Sequence, residues 1–100
     1  MADDFSIELT TSAYRHLELL RRFDRNRVLD GINEQLMHQP TLETRNKKLL
    51  RENPLADWEL RIQPFRVFYD VDEANRRVRI LAIGVKEGDK LIVGGEEIEI

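Results

Sequence analysis

A chain of 100 residues, 41% hydrophobic and 35% charged, is expected to form one globular domain over residues 1–100 and is too short for a two-domain enzyme. The absence of cysteine excludes disulfides, a thiol nucleophile and Cys-based zinc sites, and two histidines, His16 and His38, leave little for a metal centre, so no metal or cofactor is expected. No apolar run approaches the roughly 18 residues of a membrane span, MADDFSIELTT lacks a basic leader followed by an apolar core, and a net charge of −3 argues against nucleic-acid binding by the whole surface; a cytoplasmic protein is expected.

In FSIEL, Phe5, Ile7 and Leu9 alternate with Ser6 and Glu8, the period of a half-buried strand. Thr10, Thr11 or Ser12 can cap a helix whose apolar residues Ala13, Leu17 and Leu20 recur at helical spacing as far as about Phe23. Asp24 is placed to cap a second helix, carried by Val28, Leu29, Ile32 and Leu36 and stopped by Pro40. Each helix has one apolar stripe, so the hairpin must lie on a flat apolar support. Residues 41–57 show neither period, include Pro54 and read as a mostly extended connector.

From Trp58 the period becomes two: strands are expected at 58–62, 65–71, 77–85 and 91–93, with GGEEIEI as a last strand or a loose tail. The fold class is therefore α+β: an N-terminal strand and a two-helix antiparallel hairpin packed on one face of a twisted, mainly antiparallel sheet of four or five strands, the other face open.

If Gln63 and Pro64 form a two-residue turn, Ile62 faces Phe65, Arg61 faces Arg66 and Leu60 faces Val67. Trp58, Leu60, Ile62, Phe65, Val67 and Tyr69 then share the side assigned to the helices, and Glu59, Arg61, Arg66 and Phe68 share the other. Directly opposed arginines repel by up to about 1 kcal/mol unless an anion lies between them, and Glu59 is placed to be that anion. The next strand alternates Arg77, Arg79, Leu81 and Ile83 with Val78, Ile80 and Ala82, which puts Leu81 and Ile83 on the open face beside Phe68 and the arginines. Such a face is a candidate binding surface, because guanidinium groups grip phosphate oxygens bidentately and keep their charge.

Residues 41–69 carry 6 basic and 4 acidic groups, the one basic third of the chain, and Arg45, Lys47, Lys48 and Arg51 are candidates to extend the cationic track along a phosphodiester backbone. Tyr69 and Trp58 read as packed aromatics, Tyr14, His16 and His38 as structural or exposed residues, and Gly94–Gly95 as a chain bend.

The stretch TRNKKLLRENPLADWELRIQPFRVFYDVD at 44–72, followed by RILAIGVKEGDK at 79–90, resembles the RelE/ParE toxin superfamily of type II toxin–antitoxin systems, and the resemblance runs from about Phe5 to Val93. It implies a small growth-arresting toxin neutralised by a cognate antitoxin protein. RelE-like members cleave mRNA in the ribosomal A site, and ParE-like members act on DNA gyrase. The activity expected from the resemblance is a ribosome-dependent, metal-free endoribonuclease, an mRNA interferase that inhibits translation, with the ribosome and mRNA as partners; the alternative is a gyrase inhibitor, or a decayed toxin acting through antitoxin binding. Within that pattern Arg66 matches the phosphate-binding arginine, Arg61 falls where active members place a strand lysine or arginine, and Lys86 falls near a further basic residue at the leaving group. The chain departs from it twice: Glu59 stands where a second strand lysine is expected, and Leu91 and Ile92 are the closest positions to where several active members have a base-stacking tyrosine.

Overall fold

The structure, a computed structural model, describes residues 4–99. The alternating segment forms strand β1 (Ser6–Leu9), and the threonine after it starts helix α1 (Thr11–Glu18). Thr10 Oγ1 accepts the Ala13 N–H at 3.2 Å, satisfying one of the free donors of the first turn. Helix α1 is shorter than its sequence suggests: the N–H groups of Leu19 and Leu20 bond the carbonyls of His16 and Leu17, tightening the last turn so that Leu20 packs against the core. Helix α2 (Arg22–Leu36) begins with Arg21 in the cap position, and Asp24, expected as the cap, lies in the first turn with its carboxylate 3.4 Å from Arg21 Nε. Val28, Ile32 and Leu36 form its buried stripe. Gly31 lies against strand β3 (Trp58–Ile62), where a Cβ would come within 2.5 Å of Ile62 Cδ1; the glycine costs helix propensity of about 1 kcal/mol and lets helix and sheet approach. No helix among the described residues is long and apolar enough to cross a membrane.

The remaining strands are β2 (Lys47–Leu49), β4 (Phe65–Asp72), β5 (Arg77–Glu87), β6 (Lys90–Val93) and β7 (Glu96–Ile98). They form one sheet in the order β2-β3-β4-β5-β6-β7, antiparallel throughout, and β1 adds to β5 in parallel. Seven strands replace the expected four or five because the connector contributes β2 and the C-terminal segment pairs as β7. The β3–β4 register is the expected one, with Arg61 opposite Arg66.

Strand β5 organises the rest. β4 lies along one edge; the other is shared by β1, which pairs with Arg77–Ile80, and β6, which pairs with Gly84–Glu87. Between those partners the exposed backbone is satisfied by α1: Thr10 N–H and Oγ1 donate to Ile80 O at 3.1 and 3.0 Å, and His16 Nδ1 accepts the Ile83 N–H at 3.1 Å.

The pairing of β4 with β5 slips at Phe68/Tyr69, where Phe68 is opposite Ala82 and Tyr69 opposite Ile80, so Leu81 is the extra residue of a bulge. This corrects the expected alternation. Ile83 turns to the helix side and joins the main core with Leu17, Val28, Ile32, Leu60 and Val67, while Leu81 and Ala82 both pack toward Phe68 on the far side.

The far face is not open, as the alternation suggested. Phe68 is fully buried in a second apolar cluster with Ala56, Ala82, Leu91 and Val93, flanked by Leu50, Leu55 and Ile98, so the connector and the C-terminal strands cover much of it. Burying each large aliphatic side chain contributes about 1.5–3 kcal/mol, enough to hold these short segments in place.

His16 supplies a measurable consequence. Burial lowers its pKa below the ordinary 6.5 by penalising the charged ring, and the neutral ring accepts the Ile83 N–H. Below about pH 6.5 the unfolded chain therefore binds a proton that the folded chain resists, and stability falls as pH falls through that value. Urea denaturation between pH 7.5 and 5.5 is expected to show this loss, and His16→Asn, whose Oδ1 offers a non-titrating acceptor, is expected to flatten it.

Candidate functional site

The β2–β3, β3–β4 and β4–β5 registers decide which side chains share the far face. Lys48 is opposite Glu59, Arg61 opposite Arg66, and Arg66 opposite Gly84. Two residues beyond Gly84 on β5, Lys86 comes to the same face. Glu59, Arg61, Arg66 and Lys86 are thus brought together by three consecutive strands.

Glu59 is the centre of the group. Its Oε1 accepts from Arg61 Nε at 3.3 Å and its Oε2 lies 3.7 Å from Arg66 Nε. Arg66 spends further donors nearby: its Nη1 bonds Gln63 Oε1 at 3.2 Å and the Phe65 carbonyl at 3.1 Å. The side chains of Arg66 and Glu59 are only 8% and 11% exposed, whereas Arg61 is 35% exposed, so Arg61 is the more accessible guanidinium. Burial lowers the Arg66 pKa from its ordinary value, Glu59 raises it and Arg61 lowers it; a guanidinium still keeps its proton near neutrality.

Gly84 shapes the wall beside these groups. A Cβ there would meet Ile92 O at 2.7 Å and Val93 Cγ2 at 2.8 Å, so only glycine lets β6 coil this closely over the face opposite Arg66. The coiled C-terminal strands leave a groove of about 660 Å³ whose lining includes Glu59, Lys86, Leu91 and Ile98, with Asp89, Lys90, Glu97 and Glu99 also around it. Lys86 and Glu59 therefore face one groove with acidic side chains at its margin. Among the described residues no cluster of three His, Asp or Glu side chains is arranged to hold a metal.

The cationic track divides. Lys47 does not belong to it: opposite Leu60, it points to the helix side, is buried, and donates from Nζ to the carbonyls of Gln35 at 3.1 Å and Gln39 at 2.7 Å. There it caps the C-terminal end of α2, where carbonyls lack partners and a cation is favoured, and burial lowers its pKa. Lys48 is exposed on the far side, and Arg45 and Arg51 are exposed outside the ends of β2. Tyr69 is fully buried, stacks on Trp58 with centroids 6.0 Å apart and donates its hydroxyl to Pro40 O at 2.7 Å; burial raises its pKa. His38 is exposed beside Asp4, 2.9 Å away, and Tyr14 is exposed. At the departure positions, Leu91 is buried in the second cluster and Ile92 lies on the opposite side of β6.

Gln63 was not singled out by the sequence, although its place in the turn before FRVFY brings its amide to Arg66; nor was the cross-strand position of Lys48, which only the β2 register reveals.

Comparison with known proteins fits this fold. The family model described as the ParE toxin of the type II toxin–antitoxin system parDE matches residues 7–89. Among solved structures, a chain of the RelBE2 toxin–antitoxin complex from Mycobacterium tuberculosis superposes with a TM-score of 0.70 at 25% identity, over 80% of this chain and 95% of that one. No protein of curated function matches significantly.

Lys47→Met removes the cation that caps α2 while filling its space, and is expected to cost about 2 kcal/mol in urea denaturation. Alanine at exposed Arg45 or Arg51 is expected to stay within about 0.5 kcal/mol of the parent.

Proposed function

The chain belongs to the family of ParE toxins of type II toxin–antitoxin systems, and on that premise we propose that it is a cytoplasmic toxin that cleaves mRNA on the ribosome without a metal and is neutralised by a cognate antitoxin. One observation supports this reading above the others: Arg61, Arg66 and Lys86 share one sheet face beside a groove.

In the proposed reaction a ribose 2′-oxygen loses its proton to water and attacks the adjacent phosphorus, while the bond from phosphorus to the 5′-oxygen breaks and a 2′,3′-cyclic phosphate forms. The phosphorane carries extra negative charge, which fixed cations stabilise more than they stabilise the diester. Arg66, held in orientation by Gln63 and the Phe65 carbonyl, is the phosphate anchor. Arg61, more accessible, supplies charge to the non-bridging oxygens, and protonated Lys86 donates to the departing 5′-oxygen. The exposed Lys48, Arg45 and Arg51 attract the RNA backbone from outside the centre.

A second reading, toxicity through binding a protein target such as DNA gyrase, draws support from a different observation. Leu91 is buried and Ile92 faces away, so neither position offers a ring on which a codon base could stack.

Primer extension on a defined mRNA in a purified translation system separates the two. Ribosome-dependent cuts are expected, reduced about 100-fold or more by Arg66→Ala. Arg66→Lys, which keeps the charge and loses the fork, should fall between them, with folding of each variant checked by circular dichroism. Absence of cuts by folded protein, together with inhibition of gyrase supercoiling, would establish the second reading.

A further inference from the structure

On the RNA-cleavage reading, Arg61 and Arg66 must meet a phosphate, yet in the free toxin they meet a carboxylate. Two guanidinium groups directly opposite on antiparallel strands repel, and an anion between them removes the repulsion. Glu59 is that anion, and it stands where a ligand phosphate would bridge the pair. Its hold is uneven: one oxygen makes a 3.3 Å hydrogen bond to Arg61 Nε, while the other is 3.7 Å from Arg66 Nε, an ion pair beyond good hydrogen-bond distance. Glu59 also lines the groove, so an incoming anion can reach it. Across β2–β3 its direct neighbour is Lys48, exposed on the same face, with Cβ atoms of such pairs about 5 Å apart. The carboxylate therefore has two alternative sets of cationic partners, the pair formed by half-buried Arg61 and buried Arg66, and an exposed lysine.

We infer that Glu59 is a displaceable latch: in the free toxin its carboxylate closes the anion position between Arg61 and Arg66, and an RNA phosphodiester opens that position by driving Glu59 toward Lys48. The charge between Arg61 and Arg66 is unchanged, since one anion replaces another there, and Lys48 takes up the displaced carboxylate. Glu59 thereby sets how readily the site accepts RNA. This inference deepens the RNA-cleavage reading and rests on it.

The test separates binding from cleavage. Anisotropy of a fluorescein-labelled oligodeoxynucleotide, which lacks the attacking hydroxyl, measures affinity; primer extension on ribosomes measures cutting. Glu59→Gln is expected to bind about tenfold more tightly than the parent, equivalent to about 1.4 kcal/mol, and to cut faster. Glu59→Asp keeps the charge between the arginines with a shorter reach, so it is expected to fold like the parent and show an intermediate gain. This variant keeps the test decisive if circular dichroism shows Glu59→Gln unfolded. Lys48→Met should weaken binding more in the parent than in the Glu59→Gln background, because in the latter no carboxylate needs a second partner. Equal weakening in both backgrounds would make Lys48 a plain phosphate contact and overturn the exchange.

Affinity unchanged in Glu59→Gln and Glu59→Asp would overturn the latch even if the parent cuts mRNA. So would loss of cutting at unchanged affinity in Glu59→Gln, which would make Glu59 a participant in proton transfer. A gain in oligonucleotide affinity with no cutting by any variant would retain the latch and remove the cleavage reading.

Discussion

The bulge at Leu81 is the constraint on which both faces of this protein depend. Up to Ile80, strand β5 sends Val78 and Ile80 to the helices; after it, Ile83 and Val85 take that side, and Ala82, Gly84 and Lys86 take the other. Without the extra residue, Lys86 would point at the helical hairpin and Ile83 at the arginines. The bulge is held from outside the sheet. Thr10 bonds the Ile80 and Leu81 carbonyls, and His16 accepts the Ile83 N–H, so helix α1 supplies the hydrogen bonds that a neighbouring strand would otherwise provide. A threonine that begins a helix therefore also fixes which side chains of β5 reach the candidate site.

Strand parity governs the charges in the same way. Lys47 and Lys48 are adjacent and chemically identical, yet successive residues of a strand point to opposite faces. One becomes a buried cap on the C-terminal carbonyls of α2, and the other an exposed cation beside Glu59. The centre itself is nearly self-contained: Glu59 offsets part of the repulsion between Arg61 and Arg66, and Gln63 and a backbone carbonyl take up further Arg66 donors. These partners offset part of the desolvation that burial imposes on Arg66, which remains the largest influence on its pKa.

Much of this was legible in the sequence. Period-two alternation placed β3 and β4, the Gln63–Pro64 turn gave their register, and that register alone put Glu59, Arg61 and Arg66 together. Helical spacing found both helices and the buried stripe of α2. What escaped were features set by tertiary contact. Nothing local in RILAIGV distinguishes a bulge from continuous alternation, because both leave apolar residues on each side. The three-residue β2 is too short to show a period, so Lys47 could not be told from Lys48. Burial of the far face depends on Leu50, Leu55, Leu91, Val93 and Ile98, which lie in short segments whose direction the pattern does not give.

The parallel pairing of β1 with β5 joins Ser6–Leu9 to Arg77–Ile80, and the Thr10 bonds to Ile80 span 70 positions of the chain. Contacts of such long range form late, because the intervening chain must be ordered before they are rewarded. During synthesis β1 and α1 leave the ribosome first, with no β5 to receive them. Helix α2 can meet β3 before β5 is made, but β1 and α1 have no strand to dock on, and the arginine strands have no Gly84 or Lys86 beside them. A nascent fragment ending before β5 thus lacks Val78, Ile80 and Ile83 of the core and the complete cationic face, so the cell meets the assembled face only after β5 has been made.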